Sequence, residues 1–358
     1  MNRPLMLAVA IGVLMPALAG AQETPTGTTP TPSTQEGIIL PARSATFNFA
    51  TTATPSQVGV RKRRGGMVGY IEDATITSKV RMRFDLSYGY EAPDRAEFFY
   101  AKCGCYVFDP APYGDLEAPG PGPGVPTELN AQQFFALGEY VIGSRASLFA
   151  EVPFRAIQPQ GFVAFGSPYD PFPDQSGIGD IRAGAKVSLL ADDTRDVTLM
   201  FRAGFPTGDA SKGTSTDTFT IEPALLIRQD LNERTGIEAQ FGTLHPFGGS
   251  RSADSDDEKF SGHILFYGIG PSFDVVNTEQ VRFTPIAELV GWRVIGGNQT
   301  LCPTASECFY DADDNIVNLK LGARTAFGRN SFYVGYGWAL TDAAWYDKIV
   351  RFEYRYEF

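Results

Sequence analysis

The stretch Lys348-Ile-Val-Arg-Phe-Glu-Tyr-Arg-Tyr-Glu-Phe358 alternates strictly from one residue to the next. Val350, Phe352, Tyr354, Tyr356 and Phe358 are apolar or aromatic, while the interleaved Arg351, Glu353, Arg355 and Glu357 are charged. Only an extended strand converts such a period into two faces, one oily and one ionic. The oily face suits either a soluble core or a bilayer, which a tilted strand crosses with ~9 to 11 residues. Recurrence of the pattern elsewhere in the chain decides between the two.

The pattern does recur. Lys79, Arg81, Arg83, Asp85 and Ser87 alternate with Val80, Met82, Phe84, Leu86, Tyr88 and Tyr90, which places a first strand. Further segments run from about Asn130 to Val141, Ala146 to Ile157, Gly177 to Leu190, Val197 to Phe205, Phe219 to Gln229 and Thr235 to Leu244. Others cover Gly262 to Phe273, Val281 to Ile295, Ile316 to Phe327, Ser331 to Ala339 and the closing stretch, giving about twelve strands. Tight connections (142–145, 191–196, 230–234, 274–280 and 328–330) alternate with longer ones (91–128, 158–176, 206–218, 245–261, 296–315 and the modest 340–347). A soluble sandwich has no reason to alternate loop lengths. An up-and-down outer-membrane barrel does, with short periplasmic turns, long outer loops and, for an even strand count, both termini in the periplasm.

Face assignment follows from the charges. Outward candidates include Leu148, Val152, Phe154, Val187, Leu199, Phe201, Phe332 and Val334. The expected lumen-lining set is Arg81, Arg83, Asp85, Glu151, Arg155, Asp180, Arg182, Lys186, Arg202, Glu222, Lys320, Arg324, Arg351, Glu353 and Arg355, with Glu139, Arg228, Glu238, Arg282 and Glu288 on the same face. Each such charge would cost ~2 to 4 kcal/mol on a lipid face near the midplane, so the register resists reversal. Pro223, Pro271 and Pro285 remove ladder donors, and bulges or interface positions are expected there.

The first residues read as a secretory signal: Arg3, an apolar run from Leu5 to Leu18 broken by Pro16, and the A-x-A site Ala19-Gly20-Ala21. Residues 1–21 are expected to be removed. Residues 22–35 are Thr/Pro-rich and cannot bury enough apolar surface to order themselves. They are read as a flexible leader, 37–73, which carry the basic cluster Arg61-Lys62-Arg63-Arg64, as a candidate plug or a periplasmic tail, and 74–358 as the barrel. A formal charge of -11 argues against a nucleic-acid partner.

The segment Gly177-Ile-Gly-Asp-Ile-Arg-Ala-Gly-Ala-Lys-Val-Ser-Leu-Leu190, followed by Phe205-Pro-Thr-Gly-Asp209, resembles the outer-membrane barrel family associated with meta-pathway phenol degradation. That resemblance implies a barrel and, for function, transport of small hydrophobic compounds. Resemblance to outer-membrane barrels also implies that the final aromatic pair, Tyr356 and Phe358, is read by the barrel-assembly machinery.

Four cysteines in an exported chain point to an oxidising compartment. Cys302 and Cys308 are expected to form a local disulfide. Cys103 and Cys105 are read as structural bridging cysteines, because a metal or redox site lacks a nearby histidine. The acidic clusters Asp254-Ser-Asp-Asp-Glu258 and Asp311-Ala-Asp-Asp314 lack full calcium-loop spacing and read as solvated loops, so neither metal nor cofactor is expected. An outer-membrane lipid hydrolase would need Ser and His together, and only His245 and His263 exist, near Ser250, Ser252, Ser255 and Ser261. The functional expectation is a non-enzymatic channel for small hydrophobic or aromatic solutes, surrounded by outer-membrane lipid and lipopolysaccharide. The alternative is an anchor or adhesin with binding loops.

Overall fold

A computed structural model of the chain describes residues 66–90, 124–164, 173–209, 212–216, 218–248, 262–296, 300–304, 307–310 and 315–358. Side chains of 124–127, 161–164, 300–304 and 307–310 are not described. The leader, the basic cluster, Cys103, Cys105 and both acidic clusters lie outside the described residues.

Twelve antiparallel strands form a closed barrel. Its staves are β1 (Lys79–Tyr90), β2 (Gly124–Ile142), β3 (Ala146–Ala164), β4 (Gln175–Ile178) continuing into β5 (Ile181–Ala191), β6 (Arg195–Phe205) and β7 (Thr218–Asp230). They continue with β8 (Thr235–Gly248), β9 (His263–Phe273), β11 (Val281–Ile295), β14 (Asn315–Phe327), β15 (Asn330–Ala339) and β16 (Lys348–Glu357). β10 (Val276–Asn277) is a short addition to β11, and β12 (Thr300–Thr304) pairs with β13 (Glu307–Tyr310) in a separate hairpin. Each stave pairs with its sequence neighbour, and β16 returns to β1 with Val80 opposite Tyr356 and Asp85 opposite Arg351. Closure leaves no open sheet edge for lipid to meet.

The two-residue period sorts the wall as the charges demand. Leu148, Phe201 and Val334 face outward, each about half exposed at 51 to 52 %. Lys79, Arg81, Glu139, Arg228, Glu238, Glu288, Lys320 and Arg324 are buried on the inner face. Two tight turns use glycines at positive φ, Gly143 (68°) and Gly328 (56°), where an L side chain would be strained.

Three expectations are corrected. The Pro/Gly-rich segment before residue 130 is not all loop, because β2 begins at Gly124 and Gly124 to Pro126 pair with Phe162 to Ala164 of an equally extended β3. Register shifts around Glu128 absorb the proline there, which is how strands tolerate a missing donor. The connection after β11 contains the β12–β13 hairpin. Conversely, Pro223, Pro271 and Pro285 cause no register shift, since all three sit exposed on the outer face within strands that keep their alignment.

Candidate functional site: the occupied barrel interior

Residues 66–78, ahead of β1, have no regular secondary structure and run through the barrel interior. A segment without its own ladder must find partners for its buried backbone groups, and here wall side chains supply them. The Glu288 carboxylate accepts from three consecutive amides, Gly69 (3.2 Å), Tyr70 (2.9 Å) and Ile71 (2.8 Å). Successive amides converging on one anion form a nest, filled here by a side chain of the same chain. Glu238 accepts from Met67 at 2.8 Å, and Gln240 from Glu72 at 2.9 Å.

The carbonyls are met by donors from other staves of the wall. Arg324 donates to Met67 O (3.0 Å) and Val68 O (2.8 Å), Arg351 to Gly69 O (2.6 Å) and Arg355 to Gly66 O (3.0 Å). Lys186 donates to Asp73 O at 3.0 Å, and Thr198 to Ala74 O at 2.6 Å. Donors and acceptors therefore come from β5, β6, β8, β11, β14 and β16, and they hold the segment by its backbone.

The acids of the segment complete an ion-pair lattice with the wall. Asp73 meets Lys79 (2.9 Å) and Arg355 (3.1 Å), while Lys79 and Lys186 share Glu139 at 3.3 Å each. Glu72 bridges Arg81 (3.3 Å) and Arg202 (3.1 Å), which in turn meet Glu151 and Glu222 at 3.0 Å. Glu353 joins Arg324 (2.7 Å) to Arg355 (3.1 Å). Burial alone would push the Asp73 and Glu72 carboxyls up. Lys79 and Arg355 around the first, and Arg81 and Arg202 around the second, more than reverse this and hold both well below the ordinary carboxylate range.

Apolar contacts lock the same segment. Met67, Val68 and Ile71 pack against Ile286, Val290 and Tyr333. The Tyr70 ring lies between two cations, Arg351 at 3.9 Å and Lys320 Nζ at 4.4 Å, and meets Tyr333 edge-on at 6.2 Å. Another inward cluster gathers Tyr90, Leu129, Ile157, Ile264, Val294 and Ile349 around Trp345 and Tyr346 of the β15–β16 connection, with Trp292 against Trp345 at 4.5 Å. A small recess of about 30 Å³ adjoins it, lined by Arg155, Asp180, Arg182, Thr216 and Glu222 together with Leu244 and Pro246. There Asp180 accepts from Thr216 N (2.9 Å) and Gly208 N (3.2 Å), tying the Gly177–Asp180 motif to Thr207-Gly208. Arg155 donates to Thr214 O at 3.2 Å, and Arg182 lies 4.0 Å from Glu151.

Of the remaining residues singled out in the sequence, Arg83 lies 3.5 Å from Asp85 and covers the Phe135 ring at 3.8 Å, and Lys320 contacts the Tyr346 hydroxyl. Tyr356 and Phe358 stack at 6.4 Å, and Phe358 N donates to Ser78 O at 3.0 Å. Cys302 and Cys308 lie on the facing strands β12 and β13. The sequence reading missed Tyr70, Glu72, Asp73, Trp345 and Tyr346. All five lie in stretches without periodicity, and the aromatic pair inside a short connection was the one available signal.

No family profile and no curated protein sequence matches the chain. Among solved structures, an outer membrane channel from Pseudomonas putida F1 aligns over 81 % of this chain and 99 % of its own length, at 14 % identity with a TM-score of 0.50. The fold is that of an outer-membrane β-barrel. Weaker likenesses include a KdgM porin (10 % identity, TM-score 0.38, 78 % of this chain and 99 % of that one) and LpxR from Salmonella typhimurium (11 %, 0.42, 78 % and 100 %). At these identities the likeness speaks for the fold alone.

Proposed function

We propose that the protein is an outer-membrane channel for a small hydrophobic or aromatic solute, and that residues 66–78 are its plug. The observation carrying this reading is the way the segment is held. Every contact described above for residues 66–74 is non-covalent and made by wall side chains, so that stretch can leave without any strand pair opening. The lumen-facing charges would then line the vacated bore, with Arg182, Lys186, Arg202 and Arg324 as its exposed cations. With the segment displaced, the inward aromatic cluster around Trp345 would offer an aromatic solute an apolar surface beside the polar side chains of Arg155, Asp180 and Glu222. In this reading residues 1–21 are an export signal, the short-turn rim where Lys79 pairs with Glu357 faces the periplasm, and lipid and lipopolysaccharide surround the wall.

The anchor reading draws on a different feature of the same interior, because a lattice of buried ion pairs also suits a barrel that never opens. A lipid hydrolase is the third reading, and Ser250, Ser252, Ser255 and Ser261, which it would need beside His245 or His263, lie outside the described residues. Solute flux in liposomes separates channel from anchor. Full-length protein, a Glu288→Gln/Arg324→Met variant and a deletion of residues 66–76 are compared with a panel of small aromatics, alkanes and sugars. Flux that rises in either altered barrel and favours aromatics supports the channel. Absence of flux in all forms that refold removes it.

A further inference from the structure

The chain has two histidines, and the fold brings them together. Pairing of Leu244 with Ile264 continues by one step to set His245 of β8 against His263 of β9. Their Nδ1 atoms are 3.1 Å apart, with ring centroids at 5.1 Å. Ile264 is buried inward, so the alternation puts both imidazoles on the outer surface, and His263 is exposed there. Ile221 flanks the pair across β7, and Ile295 flanks it across β11. The pair lies at the long-loop end, beside the ring series Phe205, Phe219 and Phe247, as expected of an interfacial aromatic girdle.

A polar pair on this face needs a reason. Two nitrogens at 3.1 Å cannot both carry protons toward each other. Thr243 Oγ1 lies 2.9 Å from His245 Nε2; in the tautomer whose Nε2–H donates to that hydroxyl, a lone pair is left on His245 Nδ1. Outer partners of this kind fix tautomer and ring orientation in metal-ligating histidines. With metal–nitrogen bonds of ~2.0 to 2.1 Å, nitrogens spaced as these are would subtend roughly 100° at an ion between them, close to tetrahedral.

We propose that His245 and His263 form a two-imidazole site for a divalent transition-metal ion, with Thr243 positioning His245. Imidazole suits zinc, copper and nickel over magnesium and calcium. Among the described residues no group of three or more such ligands occurs, so the proposed site rests on the two imidazoles. The bound ion would tie β8 to β9 at the root of the connection between them. The inference is independent of the transport reading.

The test uses full-length protein without a polyhistidine tag, folded in detergent, titrated with Cu2+ and read by electron paramagnetic resonance. The expected result is one bound ion whose spectrum shows two imidazole nitrogens. His245→Ala and His263→Ala should each remove one nitrogen and weaken binding at least roughly tenfold, while Thr243→Val keeps both nitrogens and binds more weakly. Heat-modifiable gel mobility confirms that each variant is a folded barrel. Copper bound equally well by both single variants places the ion elsewhere, and absence of stoichiometric binding leaves a plain imidazole–imidazole hydrogen bond. Either outcome overturns the proposal.

Discussion

Asp85 and Arg351 face each other across the seam where the first strand meets the last, and Arg351 grips both carboxylate oxygens, at 2.7 and 2.8 Å. The same guanidinium donates to Gly69 O and covers the Tyr70 ring. One side chain thus joins barrel closure to the seating of the inner segment. Removing one partner of a buried pair leaves an uncompensated charge and costs about 3 to 5 kcal/mol, whereas removing both costs much less. Arg351→Met should therefore lower the temperature at which the folded gel band disappears by more than Arg351→Met combined with Asp85→Leu. Equal loss in the two would show that the seam pair is not coupled.

Glu288 supports the segment differently, through its backbone. Glu288→Gln keeps the shape but swaps one acceptor oxygen for an NH2 group that faces amide donors, and unsatisfied buried donors cost about 1 to 3 kcal/mol each. Amide hydrogen exchange at Gly69, Tyr70 and Ile71 should accelerate, with exchange in the wall strands unchanged. Acceleration spread over the whole barrel would mean that Glu288 supports the wall instead.

How much of this was legible in the sequence depends on where each residue finds its partner. Strands such as Lys79–Tyr90 and Lys348–Glu357 announce themselves because lipid on one side and charge on the other impose a period of two. The extension of β2 through Gly124 and Pro126 carries no such period, and its pairing with β3 alone decides it. Residues 66–78 are harder still. The segment is specified by side chains up to 289 positions away, as in the contact of Arg355 with Gly66, so its lack of a period marks a candidate plug stretch but not which of its residues are seated. Trp345 and Tyr346 escape for the same reason, since a connection gives no rule for which way its rings turn.

The acids of the segment make its seating depend on pH. Asp73 and Glu72 have folded pKa values depressed by their cations, so their ionised forms stabilise the seated state. That contribution is fully present above the ordinary carboxylate range of about pH 4 and is lost as pH falls toward the depressed values. Exchange protection of residues 66–75 should hold from about pH 7 to about pH 4 and fall below it, before the wall strands open. Asp73→Asn should remove much of this dependence, and an unchanged profile in that variant would detach the effect from Asp73.

Tyr333 makes glycine obligatory at two wall positions. Its ring lies flat over the inner face of β14 and β15, so that a Cβ at Gly322 or Gly335 would come within 2.3 Å of the hydroxyl oxygen. Backbone that close to an aromatic ring needs the missing side chain, a device by which sheets cover glycines with cross-strand aromatics. Gly335→Val would push the ring toward Gly69, where a Cβ position is 2.2 Å from Tyr333 Cζ, and would unseat the segment through packing rather than charge. The variant should raise exchange at residues 67–71 at neutral pH while leaving the pH profile of Asp73 in place. Replacing Tyr333 by Ala in the same chain should relieve the clash and recover part of the folded-band stability, and no recovery would mean that the glycine serves the strand itself.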